Sequence, residues 1–98
     1  MPLIFHIPGP LRMFADGESH VEIDSTSSKD PSTTVREALD TLGRLHPGIR
    51  FRILTEQGNV REHINIFVGE ESIRYTGGLD TPLPENGEVF IIPAVSGG

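Results

Sequence analysis

Val89-Phe90-Ile91-Ile92-Pro93-Ala94-Val95-Ser96-Gly97-Gly98, the last ten residues, decide how the rest of the chain is arranged. Four consecutive apolar residues at 89–92 are typical of a strand that is covered on both faces, and such strands lie in the middle of a sheet. The Asn86-Gly87 pair directly before them has the composition of a hairpin turn. We therefore expect a central strand at 89–92, preceded by a turn and followed by a tail.

The predicted tail runs from Pro93 through Ala94, Val95, Ser96 and Gly97 to Gly98. Glycine has no Cβ, so the last two residues could pass through a channel too narrow for a side chain. Ordering glycine costs more backbone entropy than ordering any other residue, so the pair adds nothing to a core. Six extended residues span about 20 Å, enough to enter a deep cleft. The expected reactive group is the Gly98 carboxylate; the alternative is a frayed end without function.

Length and composition predict one small cytoplasmic domain, residues 1–92, ahead of the tail at 93–98. The 98 residues contain no cysteine, which excludes disulfides, thiolate nucleophiles and cysteine metal sites. No apolar run is long enough to span a membrane, and no signal-peptide pattern is present. The net charge of −6 disfavours binding to nucleic acid or to an anionic membrane, and it suits a partner with a basic docking face.

The first half of the chain predicts two antiparallel strands and a helix. Residues 3–7 and 19–24 are rich in β-branched and aromatic residues or alternate between apolar and polar, whereas 11–15 is too short to assign and 25–32 has the composition of a loop. Thr34 and Glu37 have the spacing of a capping box. Behind this cap, apolar residues recur at helical spacing: Val35, Ala38, Leu39, Leu42 and Leu45. Pro47-Gly48 is predicted to end the helix.

The second half predicts more strands. Residues 49–62 leave helix and strand both open, whereas Ile64–Val68 alternates as a third strand and Ser72–Tyr75 is a short fourth strand. A turn is predicted at 77–78, with Leu79 and Leu83 as buried anchors in the loop that follows. The resulting order indicates an α+β fold of the β-grasp type (ubiquitin-like), in which a mixed sheet wraps one main helix and the last strand pairs with the first.

Several motifs in the final third resemble those of the ubiquitin-like sulfur carriers. They are Asn65-Ile66-Phe67-Val68, Ile73-Arg74, Gly78-Leu79-Asp80-Thr81-Pro82-Leu83, Asn86-Gly87-Glu88-Val89 and the tail. This family includes the small subunit of molybdopterin synthase, the thiamine sulfur carrier, and the carrier of a cysteine route through O-phosphoserine, which is the closest in appearance. The first two thirds of the chain match the family only in plan, so the pathway stays open.

The resemblance implies a protein co-substrate and not an enzyme. An activating adenylyltransferase of the ubiquitin E1-like type would use ATP to convert the Gly98 carboxylate into an acyl-adenylate. Sulfide or a persulfide would then displace AMP and leave a thiocarboxylate on Gly98. A sulfur-accepting synthase would hold the substrate that this thiocarboxylate attacks. The carrier itself is expected to bind no cofactor.

The resemblance also implies docking through the exposed sheet face near the tail and through the loop after the fourth strand. Phe67, Arg74, Tyr75 and Leu79 occupy the corresponding positions. Phe67 alternates out of phase with Ile64, so we expect it on the face opposite the core, either as a docking contact or as a half-buried sheet aromatic. Arg74 has the alternative of pairing with a neighbouring carboxylate.

Two other functions remain open at this point. The chain could be the permanent small subunit of molybdopterin synthase, or a protein modifier that forms isopeptide bonds through Gly98. A self-contained enzyme is disfavoured because no nucleophile and base are paired in the sequence. The four histidines lie in separate elements, none at metal-ligand spacing from another, so a metal site is not expected.

Overall fold

The computed structural model describes residues 2–24, 33–84 and 87–93. The strands are β1 (Pro2–His6), β2 (His20–Asp24), β3 (Ile64–Val68), β4 (Glu71–Ser72) and β5 (Glu88–Pro93), and the α-helices are α1 (Val35–Leu45) and α2 (Pro47–Ile53). Three 3-10 segments connect them, at Gly9–Ala15, Ile73–Tyr75 and Gly78–Asp80. None of the helices in these ranges is long and apolar enough to cross a membrane.

The five strands form one mixed sheet in the order β2-β1-β5-β3-β4. The first and last strands run parallel, with Phe5 opposite Val89, while the other neighbouring pairs are antiparallel. This places β5 at the centre, hydrogen-bonded on both sides, as its apolar sequence predicts. The fold class is therefore confirmed as β-grasp.

One face of the sheet is covered by the helices and forms the core. Alternate residues of the strands point into it, and Phe5 and Val89 are completely buried. The helix predicted from the capping box is confirmed. The Thr34 hydroxyl accepts from the Glu37 amide at 3.3 Å, and the Thr34 amide donates to the Glu37 carboxylate at 3.0 Å.

The last residue of the apolar stripe predicted for α1 does not face the core. Leu45, expected to face the core, is 55% exposed, because it is the last residue of α1 and the core beyond it is filled by another element. That element is α2, which supplies the buried Ile49 and Ile53. Pro47 occupies the first turn of α2, where its missing N–H costs no helical hydrogen bond. The Pro47-Gly48 pair thus ends one helix and begins the next. Within the segment 49–62, for which the sequence leaves helix and strand open, residues 49–53 are helical and Leu54 pairs with Val60 in an isolated β-bridge.

The predicted fourth strand at Ser72–Tyr75 is wrong in extent. Only Glu71 and Ser72 pair with β3, and the chain then turns into a 3-10 segment. The Ser72 hydroxyl accepts from the Arg74 amide at 3.3 Å, and the Thr76 amide donates to the Ile73 carbonyl at 3.1 Å. These local bonds compete with the strand ladder and end it early.

Several smaller predictions can be compared with the structure. Residues 11–15 belong to the first 3-10 segment, and Leu83 is buried as expected, whereas Leu79 is only half-buried against the core. Pro93, assigned to the tail, is the last residue of β5. The predicted loop at 25–32, Asn86 of the predicted turn, and the tail residues Ala94, Val95, Ser96, Gly97 and Gly98 lie outside the described residues.

Candidate functional site

The sheet face opposite the helices is the first candidate interaction surface, and we call it the outer face. The strand register aligns five side chains on it in one row across the sheet: His20, His6, Phe90, Phe67 and Ser72. The middle of this row is aromatic, and its polar members lie toward the two edges. An aromatic strip therefore crosses the neighbouring inner strands β5 and β3.

The alternation of β5 creates most of this strip. Val89 and Ile91 point into the core, so Phe90 and Ile92 must point to the outer face. Phe90 is half-buried there and Ile92 is 45% exposed. Sequence reasoning missed both residues because it treated residues 89–92 as covered on both faces. An unbroken apolar run shows no alternation, so the sequence of β5 carries no signal for which of its residues lie on the outer face.

Phe67 lies on the outer face, directly opposite Phe90 in the β3–β5 pair, as its phase in β3 predicts. Phe67 is half-buried, which fits the alternative interpretation of this residue as a half-buried sheet aromatic equally well. The two descriptions agree, since a sheet aromatic flanked by neighbours can still expose one side of its ring. Together with Phe90 and Ile92, Phe67 gives the strip its apolar area.

His6, in β1, borders the aromatic strip and contacts two residues of β5. Its imidazole stacks on the Phe90 ring, with 4.1 Å between ring centroids and 5° between planes. The Nε2 atom of His6 lies 2.6 Å from a carboxylate oxygen of Glu88, the first residue of β5. These two contacts join β1 to β5 and hold the Phe90 ring in one orientation.

The loop after β4 supplies the other predicted contacts. Phe67, Arg74 and Tyr75 line one open depression at the β4 edge of the sheet, so the structure brings these three together. Tyr75 is 88% exposed. Within the described ranges no carboxylate lies within 4.0 Å of the Arg74 guanidinium, so the alternative of a paired Arg74 is not seen there.

Leu79 does not share this depression. It lies in the 3-10 segment that follows the Gly77-Gly78 turn, and its side chain packs against the core. Both glycines have positive backbone φ angles, 124° and 62°, which residues with a side chain rarely adopt. These angles confirm the predicted turn. The position of Leu79 favours its role as a structural anchor over a contact role.

The outer-face strip ends where the tail begins. Ile92 is the penultimate residue of β5, and Pro93 pairs with Ile64 at the start of β3. Proline is tolerated at this strand end because its missing N–H interrupts no further ladder bond. A partner that covers Phe90 and Ile92 would therefore lie beside the point from which residues 94–98 continue.

Titratable side chains within the described ranges do not form a metal centre or a catalytic set. No group of three histidine, aspartate or glutamate side chains in 2–24, 33–84 and 87–93 could hold a metal ion. His6 and His20 are the nearest histidine pair in the outer-face row, and their ring centroids are 6.3 Å apart. The outer face therefore remains the candidate interaction surface, and it lies beside Pro93, the last described residue.

Comparison with known proteins identifies relatives over the whole chain. A family model described as the ThiS family matches residues 6–98. The chain is 31% identical to the sulfur carrier protein CysO of Mycobacterium tuberculosis, with both chains covered completely, and 30% identical to the small archaeal modifier protein 1 of Haloferax volcanii, with 89% of this chain and 97% of the relative covered. A chain in the crystal structure of the Amycolatopsis orientalis BexX/CysO complex superposes with a TM-score of 0.84 at 32% identity, covering 98% of this chain and 99% of that one.

Proposed function

Because this chain belongs to the ThiS family, we propose that it is a sulfur carrier whose Gly98 carboxylate is adenylated and then converted to a thiocarboxylate. The full-length similarity to CysO favours a place in cysteine biosynthesis. The relatives named above are sulfur carriers and small modifiers, and none of them is named as an enzyme. The chain is accordingly a co-substrate that two enzymes recognise in turn. Activation consumes ATP, which supports the cytoplasmic location expected from the sequence.

The proposed chemistry proceeds in two steps on the Gly98 carbonyl carbon. A carboxylate is a poor electrophile, so an E1-like enzyme joins it to the α-phosphate of ATP and releases pyrophosphate. Sulfide then attacks the carbonyl carbon, a C–S bond forms, and AMP leaves with the electrons of the broken C–O bond. The thiocarboxylate sulfur is a nucleophile: it forms a C–S bond to an electrophilic carbon of a substrate held by the sulfur-accepting synthase, and a leaving group departs from that carbon with the electrons of the bond that breaks. Hydrolysis of the resulting thioester returns the Gly98 carboxylate and leaves the sulfur on the product.

The observation that carries this proposal is the course of β5. The buried residues of β5 hold this strand at the centre of the sheet. Its outer residues, Phe90 and Ile92, belong to the aromatic strip of the outer face, and its last residue, Pro93, directly precedes the tail residues 94–98. A partner can thus hold the body by the strip while the tail enters an active site. Phe67, Arg74 and Tyr75 extend the same surface toward the β4 edge.

The test is the intact mass of the protein after incubation with ATP, sulfide and the activating enzyme from the same cells. We expect one oxygen to be exchanged for one sulfur. A variant lacking Gly98 is the matched control and should show no exchange. If an enzyme that is active on another carrier leaves the wild-type mass unchanged, the sulfur-carrier proposal is wrong.

The similarity to the Haloferax modifier favours a second function, in which Gly98 forms isopeptide bonds with lysines of other proteins. This function uses the same adenylate but ends in a lysine amine instead of sulfide. ATP-dependent protein adducts that disappear when Gly98 is deleted would support it. Stable copurification with a large synthase subunit would instead support the molybdopterin synthase alternative.

A further inference from the structure

A second surface, separate from the outer face, lies around α2. An open depression of about 410 Å³ is lined by residues that we call the α2 surface: Gly48, Phe51, Arg52, Arg61 and His63. Phe51 is 53% exposed and presents one apolar ring in this depression. The surface combines an exposed ring with two guanidinium groups.

Both arginines of the α2 surface are held in place by contacts that leave their charge unneutralised. The Arg52 guanidinium lies 4.4 Å from the centroid of the Phe14 ring, a cation–π contact. The Arg61 Nε donates to the Phe51 carbonyl at 2.6 Å. Arginine retains further N–H donors after such contacts, and these can bind a carboxylate bidentately.

Two arginines of the described ranges form ion pairs with carboxylates, whereas the arginines of the α2 surface, like Arg74, do not. Arg36 and Arg50 have carboxylate partners, at 3.3 Å in Asp80 and at 2.7 Å in Asp40. Across the described ranges, by contrast, no carboxylate lies within 4.0 Å of the Arg52 or Arg61 guanidinium, and this includes Glu62 next to Arg61 in sequence. A chain with a net charge of −6 therefore carries a local cationic surface, which is complementary to an acidic partner.

The α2 surface adjoins the start of the tail. His63 directly precedes Ile64, and Ile64 pairs with Pro93. Phe14, under Arg52, lies in the 3-10 segment that follows β1, at the same end of the sheet. A protein that receives the tail thus meets the outer face on one side and the α2 surface on the other.

From these observations we infer that the α2 surface binds an acidic segment of the enzyme that adenylates Gly98. This inference rests on the proposed function. The occupant is a protein segment rich in aspartate or glutamate, with an apolar side chain for the exposed Phe51 ring. Charged contacts at an interface rim speed association and discriminate between partners, which suits a carrier that must leave one enzyme for another. The apolar outer face alone provides less discrimination.

The experiment measures adenylation of the full-length chain by its activating enzyme, as pyrophosphate release, over a range of carrier and salt concentrations. The variants are Arg52→Glu and Arg61→Glu, with Arg52→Gln and Arg61→Gln as milder forms should a charge reversal impair folding. Arg36→Glu is the matched control, because it makes the same change in charge at the other end of the molecule. Thermal unfolding shows that each variant is folded.

We expect each charge reversal to raise the KM for the carrier about fivefold at low salt, the size of one lost exposed ion pair, with kcat unchanged. The increase should shrink at high salt, and Arg36→Glu should match the wild type. Unchanged KM in the α2 variants, or an equal rise in Arg36→Glu, would overturn the inference while leaving the carrier function intact. Salt-sensitive self-association with unchanged KM would assign the surface to a second copy of the chain. If the wild type is not adenylated at all, the proposed function fails and this inference fails with it.

Discussion

Two adjacent isoleucines of β5 show how strongly the face of a strand determines the role of a residue. Ile91 is 2% exposed and Ile92 is 45% exposed, although they differ by one position in the same strand. The first contributes to the core and the second to the outer face. Substitution of each should therefore separate stability from recognition.

We predict that Ile91→Ala lowers the free energy of unfolding by about 3 kcal/mol, because it removes buried methyl groups and leaves a cavity. Ile92→Ala should lower it by less than about 1 kcal/mol, since much of its side chain is already in water. Urea denaturation of both variants measures the difference. Equal losses would show that the outer face is covered in the folded protein.

Phe90 is expected to matter more for recognition than for folding. Phe90→Ala removes the ring at the centre of the strip and its stack on His6, so we predict about a tenfold rise in the KM for adenylation. This corresponds to about 1.4 kcal/mol, more than most interface residues cost when truncated. Met13→Ala is the control, since Met13 is 77% exposed and lies in neither surface. A Phe90 variant with wild-type KM would exclude the strip as the docking site of the activating enzyme.

At the scale of elements, the capping box is the clearest local determinant of structure. We predict that Thr34→Ala lowers the free energy of unfolding by about 1 kcal/mol, because the Glu37 amide loses its acceptor at the start of α1. Thr33→Ala is a suitable control, since the backbone carbonyl of Thr33 accepts a hydrogen bond from the Leu83 amide, and the substitution leaves that carbonyl in place. Equal losses from Thr33→Ala and Thr34→Ala would contradict the capping role.

The elements that could be predicted from the sequence are those with local signals. The cap and stripe of α1, the apolar run of β5 and the alternation of β3 depend on residues within one element. The structure confirms the cap, the stripe as far as Leu42, the strand β3 and the central position of β5, whereas the outer side of β5 is only partly covered. The second helix and the early end of β4 depend on competition between neighbouring elements. Leu45 is exposed because Ile49 and Ile53 fill the space beyond it, and spacing within one helix cannot reveal that.

The residues of the candidate site also differ in whether the sequence could predict them. Phe67 could be placed on the outer face because its neighbours alternate with polar residues, and Arg74 and Tyr75 were found with it through the resemblance to sulfur carriers. Phe90 and Ile92 escaped prediction because an unbroken apolar run does not show which face the helices leave uncovered. The pairing of His6 with Glu88 joins residues 82 positions apart and has no local signal.

At the scale of the whole molecule, the parallel pair of β1 and β5 joins the first strand of the sheet to the last. β5 has hydrogen-bonded neighbours on both sides, whereas β2 and β4 are the edge strands of the sheet. We predict that the amides of β5 exchange with deuterium most slowly and those of β4 fastest among the strands, because edge strands open without global unfolding. Hydrogen exchange followed by NMR measures this order. Slower exchange in β2 than in β5 would contradict the central role of β5.

The pairing of β1 with β5 also bears on how the protein is made. A ribosome releases β1 early and β5 late, so the first strand waits for its parallel neighbour until nearly all of the chain has been synthesised. A truncated product that lacks β5 has no central strand, and it would present neither the Phe90 ring nor a closed core. Under the proposed function, a chain truncated before β5 would offer the activating enzyme neither the Phe90 ring nor Gly98, and we expect such a chain not to be adenylated.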